Sequence, residues 1–150
     1  MLTVQVEPFA PFLEEVKDIL PIHWQELALN KDKVPLDPQY EIYKQYDATG
    51  GMFVVTVRDL GKLVGYFVGF AAPGLHYKTC LTLTMDIFYI LPEYRGSGAG
   101  LQLFQMVEKE AVRRGIKRML VGSKLHKDAS WLFEKLGYIE IERWYSKTWG

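Results

Sequence analysis

Arg95 is followed by glycine at three alternate positions, Gly96, Gly98 and Gly100, with Ser97 and Ala99 between them. Residues without Cβ atoms let a backbone turn tightly and let an anion approach main-chain N–H groups closely. Leu101, Phe104, Val107 and Ala111 then recur at helical spacing, which puts the glycines at the mouth of a helix. The first turn of a helix offers four unpaired N–H donors and a partial positive charge. Together these form a cradle for a phosphate or pyrophosphate, with Arg95 as an additional cation. The spacing matches neither the dinucleotide fingerprint nor a P-loop. Glycines of this kind also serve turns that only solve a packing problem, so the turn alone leaves both roles open.

The segment ahead of the turn must position it. Thr82, Thr84 and Asp86 alternate with Leu81, Leu83 and Met85, a period of two that reads as a strand with one polar and one buried face. Residues 87–91 are apolar on both parities, as in a strand covered on both sides. Pro92 cannot donate to a ladder and ends the strand. After the helix, Gly115 stands where a left-handed cap would close it, and residues 117–122 read as a second strand.

An apolar strand, then Pro92-Glu93-Tyr94-Arg95-Gly96-Ser97-Gly98-Ala99-Gly100, then an amphipathic helix resembles the acyl-CoA site of the GNAT superfamily of N-acyltransferases. In that family an Arg/Gln-x-x-Gly-x-Gly/Ala turn holds the coenzyme A pyrophosphate, and Arg95, Gly98 and Gly100 match it. The stretch from Ala129 to Tyr138 resembles the family's final helix: Ala129, Lys135, Gly137 and Tyr138 fit, His126 takes the place of an Asn, and Leu132-Phe133 replaces a Phe-Tyr pair. The specific motifs lie in residues 86–138.

The resemblance implies a mixed α/β (α+β) fold. Its central sheet would have about six or seven mostly antiparallel strands, with a parallel β-α-β crossover and helices on both faces. It also implies transfer of an acetyl group from acetyl-CoA to a primary amine. Main-chain groups of Phe88, Tyr89 and Ile90 would meet the pantetheine arm, with His126 as a further contact, and the N–H of Tyr89 or Ile90 would stabilise a developing oxyanion. An alkylamine of pKa about 10.4 must lose a proton to attack, and Asp86, in a strand interior where aspartate is disfavoured, is the candidate base. The bland alternative is a carboxylate that neutralises a partner or binds the substrate ammonium. The family often draws its acid from a tyrosine where Phe133 stands here. Tyr145, Tyr138 or water could substitute, or the thiolate, with a pKa near about 8.5, could leave unprotonated. A coenzyme A-binding or protein-interaction module without catalysis therefore stays open, as does a generic phosphate-binding domain.

The 150 residues suit one domain, 1–150, and 49% apolar residues suffice for a core. Eighteen basic and eighteen acidic residues balance, which argues against general adhesion to nucleic acid or a membrane surface. The single cysteine, Cys80, excludes an internal disulfide, and the three histidines show no metal spacing, so no metal is expected. No apolar run approaches the ~20 residues that cross a bilayer, and no leader pattern opens the chain, which points to the cytoplasm.

The supporting elements follow in order. Residues 2–6 alternate as a strand. Phe12, Leu13, Val16, Ile19 and Leu20 mark a helix that Pro21 should kink or restart before it runs on through residues 22–29. Asp37 is placed to cap a second helix, with Pro38 at its first position and Tyr40, Tyr43 and Tyr46 in a stripe. Residues 52–58 and 63–71 form a hairpin, and residues 75–78 a loop over the cleft. Residues 139–149 supply one or two terminal strands, on which a homodimer would be built, as is common in such folds.

Overall fold

A computed structural model describes all residues, Met1–Gly150. Strands β1 (Leu2–Glu7), β2 (Met52–Asp59), β3 (Lys62–Gly74), β4 (Tyr77–Ile90) and β5 (Arg118–Leu120) form one sheet in the order β1-β2-β3-β4-β5. The first four run antiparallel to their neighbours, and β5 lies parallel to β4. Helices α1 (Phe9–Leu27) and α2 (Tyr40–Ala48) precede β2, while α3 (Ala99–Arg113) makes the crossover and α4 (Ser130–Lys135) follows β5.

The aromatic residues show how the layers close. On one face Phe12 of α1 meets the Tyr66 ring edge-on at 5.5 Å, and Tyr43 and Tyr46 of α2 lie 5.5 and 4.7 Å from Phe70. On the other face Phe104 of α3 is ringed by Phe67, Phe88 and Phe133 at 5.6, 4.9 and 5.1 Å. The 26 buried apolar residues form a single contiguous cluster. Arg58 ties α1 to the sheet, donating to Glu7 of β1 at 2.7 Å and to Glu15 of α1 at 2.6 Å.

The mixed sheet and the parallel crossover agree with the sequence reading, but there are five strands rather than six or seven. Residues 139–150 form no strand: a strand exists only against a partner, and the tail has none within its own chain. Pro21 does not restart α1, because its ring faces solvent, where the carbonyl that loses its partner can bond water. The second helix begins at Tyr40 with Gln39 at its cap and no side-chain cap bond, leaving Asp37 outside it. The expected loop over the cleft shrinks to a turn at Leu75-His76, with Tyr77 and Lys78 already paired into β4 or continuing it.

Phe104 is fully buried among three rings, so Phe104→Ala should lower stability by about 3–5 kcal/mol. Urea denaturation would measure it, and a loss under about 1 kcal/mol would mean that the two helices do not pack through this ring.

Candidate active site

The pairing of β4 with β5 lasts three residues, from Thr82↔Arg118 to Thr84↔Leu120. Beyond it the two strands part, and the main-chain groups of β4 on that side are left without a neighbouring strand. On the other side β4 stays paired with β3 to its end. The Leu91 amide donates to the Val64 carbonyl at 2.9 Å, and antiparallel bonding alternates. Tyr89, opposite Tyr66, therefore directs its main chain to β3, while Phe88 and Ile90 turn theirs toward the gap.

The turn lies at the end of this gap. Gly96 and Gly98 take φ of 81° and 84°, left-handed values that favour glycine, and Gly98 caps α3. Gly100 is packed closely instead: a Cβ there would come within 3.3 Å of Leu132 Cδ2, which would have to shift slightly to admit it. The first helical bond of α3 runs from the Gln102 amide to the Gly98 carbonyl at 3.1 Å. The six consecutive amides from Gly96 to Leu101 donate to no protein acceptor. A Cβ at Gly96 would meet nothing within 4 Å, so the turn has open space beside that residue.

Asp86 lies at a bulge. Met85 pairs with Gly69 and Ile87 with Val68, which makes Asp86 the extra residue in β4. The bulge brings its carboxylate to α2, where the Tyr43 hydroxyl donates to it at 2.5 Å. Burial pushes the carboxyl above its ordinary range and the Tyr43 hydrogen bond draws it back, while the residue as a whole keeps contact with solvent. The Tyr43 phenol is pushed far up by burial and by the carboxylate it serves.

A second polar cluster, which the sequence reading did not assemble, joins α1 to the turn. Glu26 receives both terminal nitrogens of Arg95, at 2.6 and 2.8 Å, and the Tyr89 hydroxyl at 2.8 Å. Arg95 also donates through Nε to the Ile90 carbonyl at 2.9 Å. These bonds hold the Glu26 carboxyl down at about 2, the Arg95 guanidinium being the larger cause, and burial raises the Tyr89 phenol to about 12. Beside them His23 stacks on Tyr89, with ring centres 4.4 Å apart, and its Nδ1 lies 2.8 Å from the Tyr66 hydroxyl. His23 and Glu26 are three residues apart on one helix, a spacing visible in the sequence; their link to Arg95, 69 residues on, is not.

The structure thus brings Arg95, Gly96, Ser97, Gly98, Ala99 and Gly100 together with Phe88 and Ile90, and places Asp86 four residues upstream of Ile90 on the same strand; Tyr89 reaches the cluster only through its side chain, since its main chain is directed to β3 and offers the gap neither the arm contact nor the N–H expected of it. His126 comes to the same region from the loop after β5, where its Nε2–H donates to the Leu27 carbonyl at 3.0 Å. Tyr145 is not brought there: it is 89% exposed on the C-terminal tail and makes no hydrogen bond. Phe133, in the place of the family's tyrosine, is buried against Phe104 and Tyr138. The basic residues near the end of α3 are largely committed, Arg113 and Arg114 to Glu110 and Arg118 to Thr82. No helix is long and apolar enough to cross a membrane.

The profile of the Acetyltransferase (GNAT) family matches residues 16–138. No curated protein matches the chain by sequence. Among solved structures, the chain is similar to a transcriptional regulator from Bacillus halodurans C-125, at TM-score 0.78 and 17% identity, over 99% of this chain and 100% of the other. It is similar to the ribosomal-protein-alanine N-acetyltransferase from Brucella melitensis biovar Abortus 2308, at TM-score 0.77 and 16% identity, over 100% and 99%. It is also similar to a predicted acetyltransferase with acetyl-CoA from Clostridium acetobutylicum, at TM-score 0.69 and 13% identity, over 99% and 96%. At these identities the likeness carries the fold.

The environment of His23 has a consequence for pH. Burial lowers its imidazole from an ordinary 6.5 to about 4, so at neutral pH it is uncharged, and its Nδ1 shares a hydrogen bond with the Tyr66 hydroxyl. The unfolded chain takes up the proton first, so the stability this residue contributes is whole above pH 6.5 and is lost as pH falls toward 4. Wild-type protein should lose about 2 kcal/mol between pH 7 and pH 5 in urea titrations, and His23→Gln should lose much less. Equal slopes for the two proteins would show that His23 is not held neutral.

Proposed function

We propose, for a chain that belongs to the GNAT family of acetyltransferases, that it moves an acetyl group from acetyl-CoA to a primary amine that attacks the thioester directly. The observation that carries this reading is the run of six unpaired amides, Gly96 to Leu101, in a turn with open space beside Gly96. A row of main-chain donors at a helix mouth suits a pyrophosphate, and Arg95 adds a fixed positive charge beside it. Next to the turn, the slot-facing main chain of Phe88 suits the amides of a pantetheine arm, and His126 is held nearby on the Leu27 carbonyl, one residue beyond the Glu26 that binds Arg95. Acetyl-CoA supplies an activated acyl group as a thioester. The Ile90 amide, directed into the gap, is placed to donate to a carbonyl oxygen there.

Asp86 takes the proton of the incoming amine. Its raised pKa suits a base, and the Tyr43 hydroxyl fixes the carboxylate by occupying one oxygen, leaving the other for the acceptor. The buried Phe133 offers no proton, so the thiolate leaves without an acid from α4, which its pKa of about 8.5 permits. A catalytically silent module on the same fold is the competing reading, and Phe133 is what favours it.

Release of free thiol from acetyl-CoA, followed across a panel of amines, separates the two readings. Turnover with at least one amine is expected, and binding of acetyl-CoA without thiol release from any amine would leave only the silent module. In Asp86→Asn, which keeps an oxygen for Tyr43, kcat should fall by about 10²-fold, most at low pH, with little change in KM for acetyl-CoA. An unaltered rate would remove Asp86 from the chemistry.

The tail supports a homodimer within the same reading. Ile139, Ile141, Trp144, Tyr145 and Trp149 are 69–89% exposed on an extended segment, and the outer edge of β5 carries no strand. A second copy supplies both the edge and the segment to cover it. Light scattering on the eluting protein should give twice 17.3 kDa, and a mass of 17.3 kDa at micromolar concentration would exclude the dimer.

A further inference from the structure

Two side chains assigned to the coenzyme are anchored to the last turn of α1. Arg95 meets Glu26 through both terminal nitrogens and the Ile90 carbonyl through Nε, and its guanidinium lies 5.3 Å from the centre of the Tyr89 ring. One residue beyond Glu26, the Leu27 carbonyl holds His126. A guanidinium has five N–H groups. Three are used in these bonds, and one outward N–H remains on each terminal nitrogen.

We propose that Glu26 is a positioning residue for coenzyme binding: acting through Arg95, it holds the guanidinium along the end of β4, beside the six unpaired amides, with two N–H groups left for the pyrophosphate. The proposal rests on the reading of this turn as the acetyl-CoA site. An arginine free to rotate about its whole side chain would lose that freedom when the ligand arrives, whereas one already clamped has little left to lose. The pair is bidentate, with the Arg95 side chain 42% and the Glu26 side chain 18% exposed, so it also fastens α1 to the turn, and the test must separate that docking role from the positioning one. Tyr89 and His23 complete the support, Tyr89 by fixing a Glu26 oxygen and His23 by backing the Tyr89 ring.

Acetyl-CoA binding to the full chain, measured by calorimetry for wild type, Glu26→Gln, Arg95→Ala and the double variant, tests this. Glu26→Gln should weaken binding about tenfold while its melting temperature stays within a few degrees of wild type. In the Arg95→Ala background the same substitution should add nothing. With an amine that turns over, KM for acetyl-CoA should rise in Glu26→Gln and kcat should hold within about twofold. Unchanged or tighter binding in Glu26→Gln would overturn the proposal, tighter binding marking the carboxylate as a competitor of the pyrophosphate. An equal loss in the Arg95→Ala background would also overturn it, assigning Glu26 to the docking of α1. Failure of wild type itself to bind acetyl-CoA would refute the parent reading, and this proposal with it.

Discussion

On one side of β4 the main chain runs out of partners after Thr84. Buried N–H and C=O groups must bond something, and a strand left unpaired in the middle of a sheet bonds either water or a ligand that imitates a strand. In this chain the gap follows from the short β5, and the turn after β4 carries a second set of main-chain amides without a partner. The remaining architecture keeps these two unpaired rows in register. The antiparallel meander fixes β4 from behind, and the ring of aromatics around Phe104 fixes the helix whose mouth forms the turn.

α1 does more than cover a face of the sheet. Arg58 secures its first half through Glu15, and Arg95 secures its last turn through Glu26, so the helix spans from the hairpin end of β2 to the glycine turn. Arg58 stands on β2 and Arg95 in the turn that follows β4, and both carboxylates are on the helix. One helix is thereby fastened at both ends of the sheet, by Glu15 at the hairpin and by Glu26 at the turn.

The sequence showed what is local. Alternate glycines after an arginine, a proline that ends a strand and apolar residues at helical intervals all act within a few residues of one another, and each is found where its chemistry requires. What depends on contacts between distant segments was not legible. The Pro21 break fails because the ring points to solvent, a matter of which face the helix buries. The terminal strands fail because residues 139–149 have an alternating pattern but no partner in their own chain. Glu26 carries no signal of its role, since its partner lies 69 residues away, and His23 reads as an ordinary core histidine until Tyr66 and Tyr89 are placed around it.

The extra residue in β4 also acts as a frame-setter. Side chains before it and after it keep their faces relative to β3, so the identity of the one inserted residue alone decides what is handed across to α2. Were the irregularity to slide by a single position, Met85 or Ile87 would be delivered there and the carboxylate turned to the face where both of those side chains pack against the core. An unpaired carboxylate is costly among apolar neighbours, so the apolar residues on either side lock the frame and with it the group presented to α2.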